Sequence, residues 1–259
     1  MKNLKRIAAG VFSVLFWLSV WTLAAYICAK EVLLPSPLSV LRSLASLAAS
    51  SQFWISCAMS LLRVCAGLAA GAVLGIACAA VSIRWEIGRA LISPALSVIR
   101  ATPVASFIIL AFIWMSRGTI PVFTSSLIVL PVVWSSVTGA VSSIDTKLCE
   151  MAAVFRLPFS VRLRRIYIPS MLPAFAEGFK TSLGMAWKAG VAAEVLCTPA
   201  RSIGASLNSA KVYLETSDMF AWTATVIILS MLMEFGLSKL LASVSRKYSD
   251  PAAEVSDND

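Results

Sequence analysis

Six apolar runs, separated by short breaks that hold most of the cations, leave this chain essentially one environment to fold in. A helix crossing the ~30 Å hydrocarbon core of a bilayer needs roughly 20 predominantly apolar residues. Runs of that kind lie at about residues 7–29, 56–83, 104–115, 120–141, 174–197 and 219–241, the third being the shortest and opening on the break Arg100, Thr102, Pro103. The chain is 59% hydrophobic and only 14% charged, against about 25% charged in soluble domains. These features define an all-α polytopic membrane protein of about six transmembrane helices.

The cations orient it. Lys+Arg number 22 against 13 Asp+Glu, a formal charge of +9. In a soluble protein such an excess would point to nucleic acid. Here it collects in the breaks, as in the positive-inside bias of cytoplasmic loops, and no nucleic acid is implied. Lys2, Lys5, Arg6, Arg84, Arg89, Lys147, Arg156, Arg162, Arg164, Arg165, Arg246 and Lys247 fall on one side, and chiefly Lys30, Arg42, Arg117, Arg201 and Lys211 on the other. Both termini are therefore expected in the cytoplasm. The first run is longer than the 7–15-residue core of a secretory signal, so it reads as a retained span. Residues 1–55 read as this span and an outer connector, in which Pro35 and Pro37 precede a short surface helix (Leu38, Leu41, Leu44). Residues 56–242 read as the core, and 243–259 as a disordered acidic tail.

Within the second run Gly67, Gly71 and Gly75, continued by Ala79, repeat every fourth residue, a stripe that lets another helix approach backbone to backbone. The chain has no histidine, which removes His-based metal sites and triads. Its six cysteines show no CxxC spacing and read as small packing residues. Trp17, Trp21, Trp54, Trp85 and Trp222 fall near run ends, as in interfacial belts.

The segment between the fourth and fifth runs, about residues 148–173, is basic and amphipathic. It contains Glu150, Ala152, Arg156, Ile166, Ile168 and Pro169. At these offsets it resembles the loop that importer-type ABC permeases present to their ATPase subunit: E-A-A, a glycine four residues after the second alanine, then I-x-L-P. Met151 replaces the first alanine, Arg156 the glycine and Ile168 the leucine. A turn requiring φ > 0 is strained by any side chain, so Arg156 either bears that strain or Pro158, two residues on, resets the turn. LLPSPLSVL, LLRVCAGLAAG, IRATPVASFI and MAWKAGVAAE extend the resemblance to the nitrate/sulfonate/taurine-type permeases of the bacterial inner membrane.

The resemblance implies a helical transmembrane domain that pairs with a second permease copy, with an ATPase dimer below and a solute-binding protein above. It implies that Glu150, Ala152, Ala153, Phe155, Arg156, Leu157, Phe159, Ile168 and Pro169 couple the chain to the ATPase, with Val154, Phe155, Leu157 and Phe159 as apolar anchors in a groove of the partner. No G-x-x-x-x-G-K-[ST] occurs. The chain is therefore not expected to be an enzyme: ATP and Mg would belong to the partner, and no cofactor to this chain. The competing reading of the segment is a basic loop on anionic lipid headgroups.

Ionisable groups inside spans are functional by default. Lys188, about 14 residues into the fifth run, reads equally as a translocation-pathway residue for an anionic solute or as a snorkelling lysine. Trp187 beside it, Glu194 near the outer end, and Arg100, Thr102 and Pro103 at the break complete the pathway candidates. Arg63 reads as structural, and Glu177 with Lys180 as a local ion pair. The solute implied is a sulfonate, taurine, nitrate or similar small anion; the alternative is a small heterocycle such as a pyrimidine precursor. An ion-coupled secondary transporter is disfavoured by the lack of an internal repeat, and an intramembrane enzyme by the lack of histidine and of clustered carboxylates.

Overall fold

A computed structural model describes residues 2–28 and 30–249, with the backbone alone for 2–9, 159 and 244–249. The side chains of Lys2, Lys5, Arg6, Phe159, Arg246 and Lys247, and residues 250–259 of the tail, lie outside the described residues. Among those described there are helices and no strand: α1 (Lys2–Cys28), α2 (Pro37–Ala48), α3 (Ser51–Arg84), α4 (Glu86–Ala101), α5 (Val104–Ala111), α6 (Ile120–Ser142), α7 (Thr146–Val154), α8 (Phe159–Arg162), a π-turn (Leu163–Tyr167), α9 (Ile168–Cys197), α10 (Ile203–Val212) and α11 (Thr216–Ser249).

Local sequence starts several of them. The hydroxyls of Ser36, Ser50 and Ser202 accept hydrogen bonds from the first-turn amides of Ser39, Gln52 and Ala205, with Pro37 opening α2. Such caps satisfy amides that a helix start leaves without partners.

All six apolar runs fall on helices, but not all as simple spans. Gly10–Cys28, Ser51–Arg84, Ile120–Ser142 and Thr216–Ser243 are long and apolar enough to cross a membrane. The third run is different. α5 has only eight residues and leaves α4 at 98°, the pair counting as one broken span or a re-entrant element. Pro103 caps α5, and residues preceding a proline are driven out of helical conformation. α4 itself corrects the placing of Arg84 and Arg89 in a break between runs: Trp85 alone leaves the helix there. α9 is 30 residues long but more polar, with Glu177, Lys180, Lys188 and Glu194 along it. α11 continues to Ser249, so the start of the segment read as tail is helical.

The core is where α3, α6 and α9 meet. Val64, Leu68 and Ala79 of α3 pack with Val129, Val133 and Val137 of α6 and with Leu183, Ala186 and Trp187 of α9. The glycine stripe faces α6: a Cβ on Gly67, Gly71 or Gly75 would stand 2.5, 2.5 or 2.8 Å from the carbonyl oxygens of Val122, Ser126 and Leu130. Van der Waals contact is the main attraction left to helices in lipid, and this approach maximises it. Gly190 of α9 meets Val64 and Ser125 just as closely, while Ser125 Oγ donates to the Ala186 carbonyl at 3.1 Å. α11 closes the bundle through Trp222, 6% exposed and 4.9 Å from the Phe53 ring. Trp222 is thus a core residue rather than part of an interfacial belt.

α1 stands apart. No part of its spanning window is buried. It is tied to the rest by Trp21, which donates to the Pro35 carbonyl at 3.1 Å and lies against the Phe220 ring.

Candidate functional site

The segment between α6 and α9 is built as a helix, a reversal and a second helix. Asp145 caps α7, its carboxylate accepting from the Lys147 amide at 2.9 Å. At the other end the Arg156 amide donates to the Ala153 carbonyl and the Leu157 amide to the Ala152 carbonyl, both at 3.0 Å. This is the paired bonding of a Schellman ending, which needs a left-handed residue after the helix. That residue is Arg156, with φ 48°. The turn is therefore kept with a side chain in the place that favours glycine, at a cost of roughly 1–2 kcal/mol. Pro158 follows it and opens the next turn, accepting at its carbonyl from Val161 and Arg162.

An expected outcome follows for Arg156→Gly: the turn relaxes and the purified protein melts higher by a margin worth about 1 kcal/mol. Thermal unfolding in detergent checks it, and a lower melting point would mean that the arginine side chain contributes more than its backbone strain costs.

Beyond the reversal, α8, the π-turn and α9 run on without interruption. The widened turn precedes Pro169, which has no N–H to offer the preceding turn and would crowd its carbonyl in a regular α-helix. Ala152 and Ile166 are buried, and Leu157, Ile168 and Pro169 half-buried. Glu150, Ala153 and Arg156 are exposed, as are Val154 (78%) and Phe155 (71%). The segment thus rests on the bundle through its small and aliphatic members and leaves Val154 and Phe155 exposed.

The residues proposed from sequence for a route through the protein do not gather in one place. Lys188 is exposed on α9. Trp187 turns the other way, 1% exposed in the core, its indole N–H donating to the Val226 carbonyl at 3.1 Å. Glu194 is 0% exposed and lines no open space. Arg100, Thr102 and Pro103 do lie together at the α4–α5 bend. There Arg100 donates to the Pro131 carbonyl of α6, and the Thr102 hydroxyl to the Val98 carbonyl. Glu177 and Lys180 are both exposed and do not pair with each other.

The partner of Glu194 is Arg63, which sequence reasoning left as merely structural. Arg63 Nη1 lies 3.2 Å from Glu194 Oε1, and Ser60 Oγ donates to Glu194 Oε2 at 2.6 Å. The Gly204 amide donates to the same oxygen at 3.3 Å, and the Ile203 amide to Ser60 Oγ at 3.0 Å. Arg63 also donates to the Ala200 and Arg201 carbonyls, at 3.0 and 3.3 Å. One buried carboxylate thereby joins α3, α9 and the start of α10. It holds a loop in which Thr198 and Arg201 both have positive φ. The available signal was that an arginine and a glutamate placed at the same end of two spans each need a counter-ion.

These features define a class: an all-α, multi-pass membrane protein, with one charged, partly apolar turn between two long helices and a polar clasp at the opposite end of the bundle. Residues 71–250 match the family described as the inner membrane component of binding-protein-dependent transport systems, and the chain belongs to that family. It is similar to the taurine transport system permease protein TauC of Escherichia coli (strain K12), 27% identical over 231 residues, 85% of this chain and 82% of that protein. It is also similar to the riboflavin transport system permease protein RibX of Chloroflexus aurantiacus (strain ATCC 29366 / DSM 635 / J-10-fl), 30% identical over 151 residues, 58% of this chain and 55% of that one. The putative aliphatic sulfonates transport permease protein SsuC of Bacillus subtilis (strain 168) is 24% identical over 131 residues, covering 50% of this chain and 47% of its own.

Two solved structures share the fold. A chain of an amino acid ABC transporter crystallised with histidines superposes with a TM-score of 0.61 at 17% identity, over 79% of this chain and 97% of that one. One of the inward-facing MetNI methionine ABC transporter gives 0.57 at 15%, over 81% and 98%.

Proposed function

We propose that this chain is the membrane-spanning subunit of an ATP-driven importer. It takes a small solute with an anionic group, of the sulfonate, taurine or nitrate kind, from a binding protein outside the membrane and releases it in the cytoplasm. Both termini and the Glu150–Pro169 turn face the cytoplasm. Two permease copies stand on an ATPase dimer, which holds the ATP and Mg. The observation that carries this reading is the turn itself: a capped helix ending in a Schellman reversal, with Val154 and Phe155 exposed beside Glu150. An amphipathic helix of that form suits a groove on a partner. The E-A-A-like offsets and the family membership support the partner's being an ATPase, and the taurine and sulfonate relatives support the solute class.

When ATP draws the two ATPase subunits together, a helix seated between their lobes is carried with them. The spans behind it then rock between two packings rather than deform. In Glu150→Lys the charge at the rim of the helix is reversed. ATP hydrolysis is expected to persist while transport in vesicles falls at least tenfold, with insertion and folding unchanged; transport at the wild-type level would remove the coupling role from this turn.

A further inference from the structure

At the end of the bundle remote from Glu150–Pro169, α2, α3, α10 and the start of α11 line an open cleft of about 340 Å3. That is the low end of the range for small-molecule sites. Its lining carries charge of both signs: Arg201 before α10, Glu215 after it, and Asp218 in the first turn of α11, with Trp222 among the walls. Asp218 accepts a hydrogen bond from Ser43. Among the described residues, the Arg201 guanidinium and the Glu215 carboxylate have no partner.

Arg201 is also fixed from behind. Its backbone has φ 54°, and its carbonyl accepts from Arg63, which is itself paired to Glu194. A residue with a side chain stays in that conformation only where the surroundings over-determine it. The backbone that carries the cation is therefore held at the cleft, and the side chain is exposed there. One cation against two carboxylates leaves the lining negative, which disfavours a simple anion and favours a ligand that brings an amine along with its acid group.

We propose that this cleft binds a small zwitterion bearing a sulfonate or carboxylate and a primary amine. The acid group pairs with Arg201, and the ammonium lies between Glu215 and Asp218. This deepens the import reading and rests on it only in taking the ligand to be the solute that crosses; binding in the cleft does not depend on transport.

Titration calorimetry on the purified full chain tests it, with taurine as the probe and ethanesulfonate and ethylamine as its two halves. Taurine is expected to bind at least tenfold more tightly than either half, since each half forfeits a charge-assisted hydrogen bond. Glu215→Gln is expected to lower taurine affinity roughly tenfold and leave ethanesulfonate unchanged; Arg201→Gln lowers both. Melting curves on each variant confirm that the fold is retained. Taurine binding no tighter than ethanesulfonate, or unchanged by Glu215→Gln, overturns the proposal. Uptake into vesicles holding the complete importer separates the two readings. Taurine binding without ATP-driven taurine uptake supports the cleft and removes taurine as the solute, whereas uptake with no binding to the purified chain overturns the cleft and leaves the importer standing.

Discussion

Gly71→Leu is expected to abolish recovery of folded protein. A Cβ at this position stands 2.5 Å from the Ser126 carbonyl oxygen, 2.7 Å from Val129 Cβ and 3.0 Å from Ser126 Cα. Two of these three atoms are backbone of α6, so no rotamer change relieves the contact; the helices must separate. Overpacking a core typically costs 1–3 kcal/mol when side chains can yield, and here the neighbours cannot. Separation would also loosen the contacts of Gly67 and Gly75, which depend on the same approach. Gly139→Leu is the control. It is an α6 glycine with nothing within 4 Å of its Cβ, so it changes helix propensity in the same sense without a clash. Fluorescence-detected gel filtration of the two variants is expected to give no monodisperse peak for the first and a normal one for the second; a normal peak for Gly71→Leu would show that α3 and α6 can pack in another way.

The second large effect is expected from Arg63→Met. Glu194 is 0% exposed and Arg63 supplies its cation, so the substitution strands a buried carboxylate. Breaking a buried pair from one side costs about 3–5 kcal/mol, while replacing both partners by apolar groups of similar size can be neutral. The single variant should therefore melt well below the wild type in detergent, and Arg63→Met combined with Glu194→Leu should recover most of the loss. If the double variant melts no higher than the single one, the pair does not act as a unit, and the hydrogen bonds of Ser60 and Gly204 to Glu194 would carry the stability instead.

The sequence made the order of the spans legible because each apolar run is continuous and each break is charged. It also placed Gly67, Gly71 and Gly75 on one face, since a four-residue repeat stays near one side of a helix. Which helix lies against that face was not legible. The kink at Pro103 could be read from the restriction a proline imposes on its predecessor, yet α4 was missed. Its charged start, Arg84 to Arg89, looks like a loop, although Trp85 alone leaves the helix there. The inward turn of Trp187 and Trp222 was hidden for a related reason: position along a span gives depth, but not the side to which a ring points. Arg63 and Glu194 are 131 residues apart; their shared end of the bundle was a signal, but a single sequence does not say which spans pack together. At Arg156 the offset was legible, but whether the turn keeps its positive φ or is rebuilt around Pro158 depends on the hydrogen bonds of Leu157 and Arg156 to the end of α7.

The unbroken run from the π-turn into α9 gives the molecule a long arm with its short end at the Glu150–Pro169 turn. At 1.5 Å per residue, the 30 residues of α9 reach about 45 Å. A tilt of only about 5° at the near end would sweep the far end through roughly 4 Å over that length. Glu194 lies near that far end, fastened to Arg63 and to the amide of Gly204. A small rotation at the turn would thereby be geared into a displacement the size of a side chain at the other end of the bundle, delivered to the loop that carries Arg201.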